Sequence, residues 1–431
     1  MLIVNARLVD PANTLDQPAN LLLADGRVQA VLPANDRPHA DQVRDARGLI
    51  AAPGLIDPHV HLREPGQQDL ETIATGTAAA AAGGFTAVAC MPNTSPPLDS
   101  PAEIEFVAKQ AARYGSCRVY PIGAITKGRA GVELAEMAAM AEVGAVAFSD
   151  DGSPVPTAAV MSRAIQYIGM LRRPILQHCD DASLTPGGVM NAGFTAQRLG
   201  LPGIPAVSEE LCIRRDTALL RAFAATGQAY HVLHISGAGS VAAVREARSQ
   251  GLAVTAEVCP HHLLLTEQAL STYDTNYKMA PPLRSEADRA ACLQGVLDGT
   301  IGILATDHAP HLASEKELDF VQAPFGIVSL EAALGLFALA LLGEDRLDWP
   351  GLIARMSTNP ARLLGVEGGS LAPGVPADIT LIDPHGPFTI DIHTWKTKGR
   401  NCPWHGWKVP ARPVLTIVAG SVVHDITREA Q

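Results

Sequence analysis

The chain has 431 residues, 47% hydrophobic and 18% charged, a globular composition long enough for one large domain and a smaller one. Basic residues number 33 against 44 acidic ones, for a net charge of −11, and aromatics make up only 4%. This balance argues against a polyanion partner and against a nucleic-acid reader built on stacking; a small anionic substrate stays compatible, because a local group of cations overrides the global field.

The N-terminus, MLIVNARLVDPAN, has neither a basic n-region nor a long apolar h-region, so no signal peptide is expected. Up to residue 50 the chain alternates short β-rich pieces with turns, and the DG of ADGRV reads as a hairpin turn. The C-terminal stretches GSLAPGVPADITLIDP and RPVLTIVAGSVVHD have the same texture. Residues 1–52 and 366–431 are therefore expected to build one small β-sandwich domain, interrupted by an insertion over 53–365.

Within the insertion, apolar runs alternate with alanine-rich helical stretches. The expected strands are 55–61, 85–91, 117–123, 144–150, 174–178, 229–235, 252–258 and 301–307. Helices are expected at ETIATGTAAAAAGG, PAEIEFVAKQAARYG, GVELAEMAAMAEVG and VAAVREARSQG, several closed by a C-terminal glycine. Eight β-then-α units with strands apolar on both faces predict an α/β fold, a TIM (β/α)8 barrel. The longest apolar run, Ala332–Leu342, is shorter than the ~20 residues of a membrane span and reads as a buried helix. Seven cysteines, an odd number without a CxxC pair, point to a reduced, cytoplasmic interior.

Catalytic groups of such a barrel sit at the C-terminal ends of its strands. The first strand ends in PGLIDPHVHLREPG, where His59 and His61 point the same way because strand side chains alternate. An HxH pair by itself is equally a pair of surface histidines. The fourth strand ends in Asp150 and Asp151, which face opposite ways; Asp151, the later, is preferred. His178 closes the fifth strand and reads as a ligand or a core histidine. Of His231 and His234 on the sixth, His234 lies nearer the mouth. His261 and His262 follow the seventh, without ligand spacing. Asp307 ends the eighth in TDHAPH. So many ionisable groups at strand ends are costly unless something pairs them, as one or two metal ions would.

In order along the chain stand DPHVHLREPG (57–66), MPNTSP (91–96), FSDDG (148–152), QHCDD (177–181), HVLHIS (231–236), AEVCPHHLLLTE (256–267), NYKMAPPLR (276–284), ATDHAPH (305–311), APFGIVSLE (323–331) and KGRNCP (398–403). Together they resemble the amidohydrolase superfamily and, within it, the bacterial dihydroorotases that bridge their two metals with aspartate. The resemblance implies two zinc ions per subunit: one on His59 and His61, one on His178 and His234, Asp151 between them, and Asp307 on the first metal as proton carrier. It implies substrate contacts from Arg63, Asn93, His311, Phe325 and Gly326. The activity implied is reversible cyclisation of N-carbamoyl-L-aspartate to dihydroorotate in pyrimidine synthesis. A homodimer is expected, with an aspartate carbamoyltransferase complex as a possible partner assembly. FSDDG has no lysine where hydantoinase-like relatives carry a carbamylated one. Ala280 stands where the family usually has asparagine. A hydantoinase-like hydrolase and a non-catalytic scaffold are the competing readings.

Overall fold

The computed structural model describes residues 1–426. The chain opens with β1 (Leu2–Asp10), β2 (Leu15–Ala24), β3 (Arg27–Pro33), β4 (Val43–Asp45) and β5 (Ile50–Pro53). Asp25 and Gly26 join β2 to β3 at φ of 50° and 72°, the positive-φ two-residue turn that matches strand twist.

Eight short, buried strands then carry the chain through the insertion. The first five are β6 (Leu55–Val60), β7 (Phe85–Cys90), β8 (Arg118–Gly123), β9 (Ala147–Phe148) and β10 (Ile175–Gln177). A two-stranded ribbon, β11 (Met190–Asn191) with β12 (Gly203–Ile204), follows β10. The last three are β13 (Tyr230–Val232), β14 (Val254–Val258) and β15 (Ile303–Leu304). These eight pair in sequence as one parallel sheet. Val60 bridges His308 in parallel, and the His61 N–H donates to the His308 carbonyl at 2.9 Å, so the exit of β15 meets β6 and closes a (β/α)8 barrel. Asp57 adds to the closure: its buried carboxylate accepts the Thr306 hydroxyl at 2.6 Å and the His59 N–H at 3.1 Å.

The connecting helices start where the sequence supplies caps. Thr72 accepts the Thr75 N–H ahead of helix Ile73–Ala82, and Ser285 with Asp288 forms a capping box ahead of helix Glu286–Leu297. One expected helix is shorter than its pattern. Only Met137–Glu142 of GVELAEMAAMAEVG is helical. Gly131 sits at φ 71°, and the residues after it pair back instead: the Lys127 N–H donates to Glu133 O and the Ala135 N–H to Ile125 O.

The apolar run near residue 332 forms the buried helix Ala333–Leu341, and no helix among the described residues is long and apolar enough to cross a membrane. Beyond it come β16 (Ile379–Asp383), the ribbon β17 (Phe388–Thr389) with β18 (Lys408–Val409), β19 (Arg412–Val418) and β20 (Ser421–Asp425). β16, β19 and β20 join β1–β5 in one mixed eight-stranded sheet with its own core of Ile3, Leu21, Leu23, Ile379 and Ile417. Both chain ends thus form a β-rich unit with a core separate from the barrel's.

Candidate metal centre and substrate cavity

At the C-terminal mouth, side chains from β6, β9, β10, β13 and β15 converge on one point. Each is delivered where its strand stops and the backbone turns. His59 Nε2 lies 3.6 Å from Asp151 Oδ1 and 3.3 Å from Asp307 Oδ1. His61 Nε2 lies 3.6 Å from Asp151 Oδ2 and 2.9 Å from Asp307 Oδ1. On the other side of Asp151, His178 Nδ1 and His234 Nε2 stand 3.5 and 3.6 Å from its Oδ1 and 2.9 Å from each other. Donor atoms around one tetrahedral ion with bonds of about 2.0–2.2 Å lie roughly 3.3–3.5 Å apart, so these spacings suit two ions sharing Asp151.

Unmet polar groups make the same point. His59 Nε2 and Asp151 Oδ1 are buried and accept or donate no hydrogen bond. Such orphans cost roughly 1–3 kcal/mol each, and a cation between them would satisfy both. Arg63, His234 and Asp307 hold positive φ of 59°, 33° and 47°, a region costly for residues with a side chain and characteristic of functional sites. Charges compensate across the cluster. Burial pushes the Asp151 and Asp307 carboxyls up, but the imidazoles, led by His59, outweigh it and hold both well below the ordinary range. For His59, burial works downward and is overcome by Asp307, Asp151 and Glu257. Two ionised carboxylates among four imidazoles form a donor set for borderline divalent metals.

A surrounding layer aims these donors. Glu257 Oε1 accepts from His59 Nδ1 at 2.6 Å, which leaves Nε2 to face the centre. Its other oxygen takes His231 Nε2 at 2.9 Å, so His231 belongs to this layer while His234 enters the centre. Asn93 Oδ1 accepts from His61 Nδ1 at 2.8 Å and orients that ring likewise. Asp150 points away, accepting the Ile125 and Thr126 N–H groups at 2.8 and 3.0 Å. His262 donates to Pro281 O at 3.0 Å, whereas both ring nitrogens of buried His261 lack a hydrogen bond among the described residues. Glu257 escaped the sequence reading, although an acid inside the apolar run LAVTAEV was a legible signal.

Beside the centre lies a cavity of about 500 Å³, lined by His61, Arg63, Asn93, Asp151, His178, His234, Asp307, His311, Phe325 and Gly326, with Met279 and Ala280 across from them. It therefore gathers every expected site residue except His59, which is fully buried beneath it. Arg63 has no carboxylate within 4.0 Å among the described residues; it donates to Pro310 O at 3.3 Å and lies 3.2 Å from His311 Nε2. Its neighbour Glu64 accepts the Ile73 N–H instead. Burial brings the guanidinium down to about 10, still charged at neutral pH. His311 is pushed down to about 3 by burial and by Arg63, and is neutral.

Phe325 and Gly326 are presented by a loop clasped by two ammonium groups. Lys278 Nζ donates to the carbonyls of Phe320, Val321 and Ala323 at 2.7, 3.0 and 2.6 Å. Lys316 Nζ donates to Pro324 O and Gly326 O at 2.9 and 3.2 Å. Asn401 completes the clasp, donating to Ala309 O and Gly326 O and accepting the His311 N–H. Gly326 is required here: a Cβ would fall 2.6 Å from Ala309 O. Burial, then the charge of Lys278, lowers Lys316 from 10.5 to about 7. The unfolded chain therefore takes up this proton first, so stability falls as pH drops from about 10.5 toward 7 and levels off below. Lys316→Met flattens that slope in denaturation midpoints measured across the window; an unchanged slope contradicts the assignment.

Residues 48–240 match a family model described as dihydro-orotase-like. A dihydroorotase of Pelotomaculum thermopropionicum is 49% identical, covering 98% of this chain and 98% of that protein. One from Solibacter usitatus is 46% identical over 98% of this chain and 97% of its own length. Among solved structures, an L-hydantoinase (dihydropyrimidinase) from Arthrobacter aurescens superposes with a TM-score of 0.88 at 26% identity, covering 98% of this chain and 96% of that one.

Proposed function

The chain belongs to the dihydroorotase family and is a cyclic amidohydrolase of pyrimidine biosynthesis, and from that premise we propose how its residues divide the work. The reaction is the reversible conversion of N-carbamoyl-L-aspartate to (S)-dihydroorotate and water. One observation carries the assignment of roles: five donors from four strand ends converge around Asp151 at a fifth, and an arginine with no carboxylate within 4.0 Å among the described residues opens into the same cavity.

In this reading His59, His61 and Asp307 would hold one zinc ion and His178 and His234 a second, with Asp151 as the donor common to both. When bound, the ions lower the pKa of water and polarise the amide carbonyl. Asp307 takes the proton of the attacking water and passes it to the ring nitrogen as the C–N bond breaks. In the biosynthetic direction it removes the proton from the attacking carbamoyl nitrogen as the C–N bond forms and returns it to the carboxyl oxygen, whose C–O bond breaks to release water. Arg63 receives the substrate's α-carboxylate, with Asn93 and His311 beside it, and the backbone of Phe325 and Gly326 borders the ring. The cavity volume is within the range that encloses a small ligand. Ala280 offers no side-chain hydrogen bond, leaving orientation of the ring to Arg63, Asn93 and the clasped loop.

Arg63→Gln raises KM for dihydroorotate by about 10- to 150-fold, the weight of a hydrogen bond to a charged group, with a smaller change in kcat. Steady-state kinetics check it, and an unchanged KM removes Arg63 from the carboxylate site. Metal content and turnover on dihydroorotate, beside hydantoin and allantoin, test the whole reading. Two zinc ions per subunit and preference for dihydroorotate are expected; preference for either alternative overturns the substrate. The same reading carries a cytoplasmic location, which seven buried, unpaired cysteines support, and a homodimer able to associate with aspartate carbamoyltransferase.

A further inference from the structure

Away from the barrel mouth, the segment between β17 and β18 brings together three exposed donors, Asp391, His393 and His405, whose ligand atoms lie within 4.8 Å of one another. Asp391 Oδ1 stands 3.8 Å from His405 Nδ1, and the two imidazole rings meet edge-on with centroids 5.1 Å apart. Among the described residues neither ring makes a hydrogen bond of its own.

The backbone beneath them is well held. The Asp391 carboxylate accepts the His393 N–H at 3.0 Å, capping the turn Ile392–Thr394. Gly406 N–H donates to Ile390 O and Ile390 N–H to Trp407 O, each at 2.9 Å, and β17 pairs with β18. Trp404, next to His405, is fully buried. The two imidazoles therefore project from fixed points while remaining free to rotate, toward a carboxylate that its cap holds in place.

We propose that Asp391, His393 and His405 form a third metal site, for a first-row divalent transition ion, separate from the centre at the barrel mouth. Two imidazoles and a carboxylate select zinc, copper, nickel or cobalt over magnesium or calcium, whose preferred donors are oxygen. Small rotations of the exposed side chains bring the donors from their present spacing to the roughly 3.3–3.5 Å of a shared ion, and water completes the shell.

The site sits at the base of the loop 392–404. The far part of that loop backs the wall of the substrate cavity: Asn401 holds the backbone of His311 and Gly326, and Thr397 anchors the loop on the buried Glu71. An ion joining His393 to His405 staples the two ends of the loop and steadies the wall that Asn401 supports.

The test titrates zinc into the holoenzyme, its centre already loaded, by calorimetry, with bound metal counted after gel filtration. Wild type takes up one further saturable equivalent per chain, and the double variant His393→Ala/His405→Ala, which leaves the backbone hydrogen bonds of the turn in place, does not. Asp151→Ala keeps this extra equivalent whatever happens to its centre, so failure here is distinguishable from failure of the central assignment. Hydrogen exchange over 392–404 slows several-fold with zinc in wild type and not in the double variant. The proposal is overturned if wild type binds no extra equivalent, if the double variant still binds it, or if exchange in the loop is unchanged.

Discussion

Asp307→Asn lowers kcat on dihydroorotate by about 10²–10⁴-fold, the usual weight of a general acid–base group, while KM moves little. The variant keeps an oxygen in place of Oδ1, which lies 2.9 Å from His61 Nε2 and 3.3 Å from His59 Nε2, so the imidazoles keep a neighbour of the same shape. What it loses is a group able to take and return a proton. The surrounding imidazoles hold the Asp307 carboxyl well below its ordinary value, so the wild-type side chain is ionised throughout the neutral range and ready as a base. Steady-state kinetics with parallel metal analysis separate the outcomes. A variant that retains its metal and full kcat would show that proton transfer passes through another group.

Asp151→Ala has the larger effect on the site itself. Among the described residues Asp151 is the one carboxylate within 3.6 Å of all four imidazoles, so the proposed centre draws on it from both sides. Its removal takes away the anionic donor common to both halves and leaves four ring nitrogens facing one another in a buried space. Expected are loss of bound metal and a fall in turnover of more than about 10³-fold. Metal per chain and turnover, measured on the same preparation, check this. Two metals and wild-type turnover in the variant would mean that the wrong residue has been assigned to the bridge.

Both expectations hang on a layer that does no chemistry. Glu257 and Asn93 turn His59 and His61 so that the same nitrogen of each faces inward. Lys278, Lys316 and Asn401 hold the opposite wall through carbonyl oxygens, with no carboxylate within 4.0 Å of either ammonium group among the described residues. This arrangement sets the loop by donors that have few alternatives once buried.

How far the chain could be read in advance varied with the range of the interaction concerned. The eight barrel strands were legible because each is a local apolar run, and all eight fall within the expected stretches. The stretch 131–144 reads as helix because its alanine-rich pattern is local, whereas the pairing of its first residues to Ile125 and Lys127 depends on a turn at Gly131. The choice between His231 and His234 could be framed but not settled from spacing. β13 ends at Val232, which leaves His231 on Thr255 and Glu257 and carries His234 into the mouth at positive φ.

By itself, then, the sequence determined the barrel, the β-rich unit from both ends and the strand-end positions from which ligands are drawn. These follow from periodicity, turn residues and the cost of burying ionisable groups, all encoded within a few neighbours. Only the tertiary structure decided which oxygen or nitrogen each residue offers. Asp150 turns to Thr126 while Asp151 turns to the imidazoles, and Glu257 meets His59 across 198 residues of chain. The HxH pair that opens the barrel becomes one side of a centre only when β15 closes against β6 and sets Asp307 beside it. Ring orientation and donor spacing come from barrel closure, which no local pattern contains.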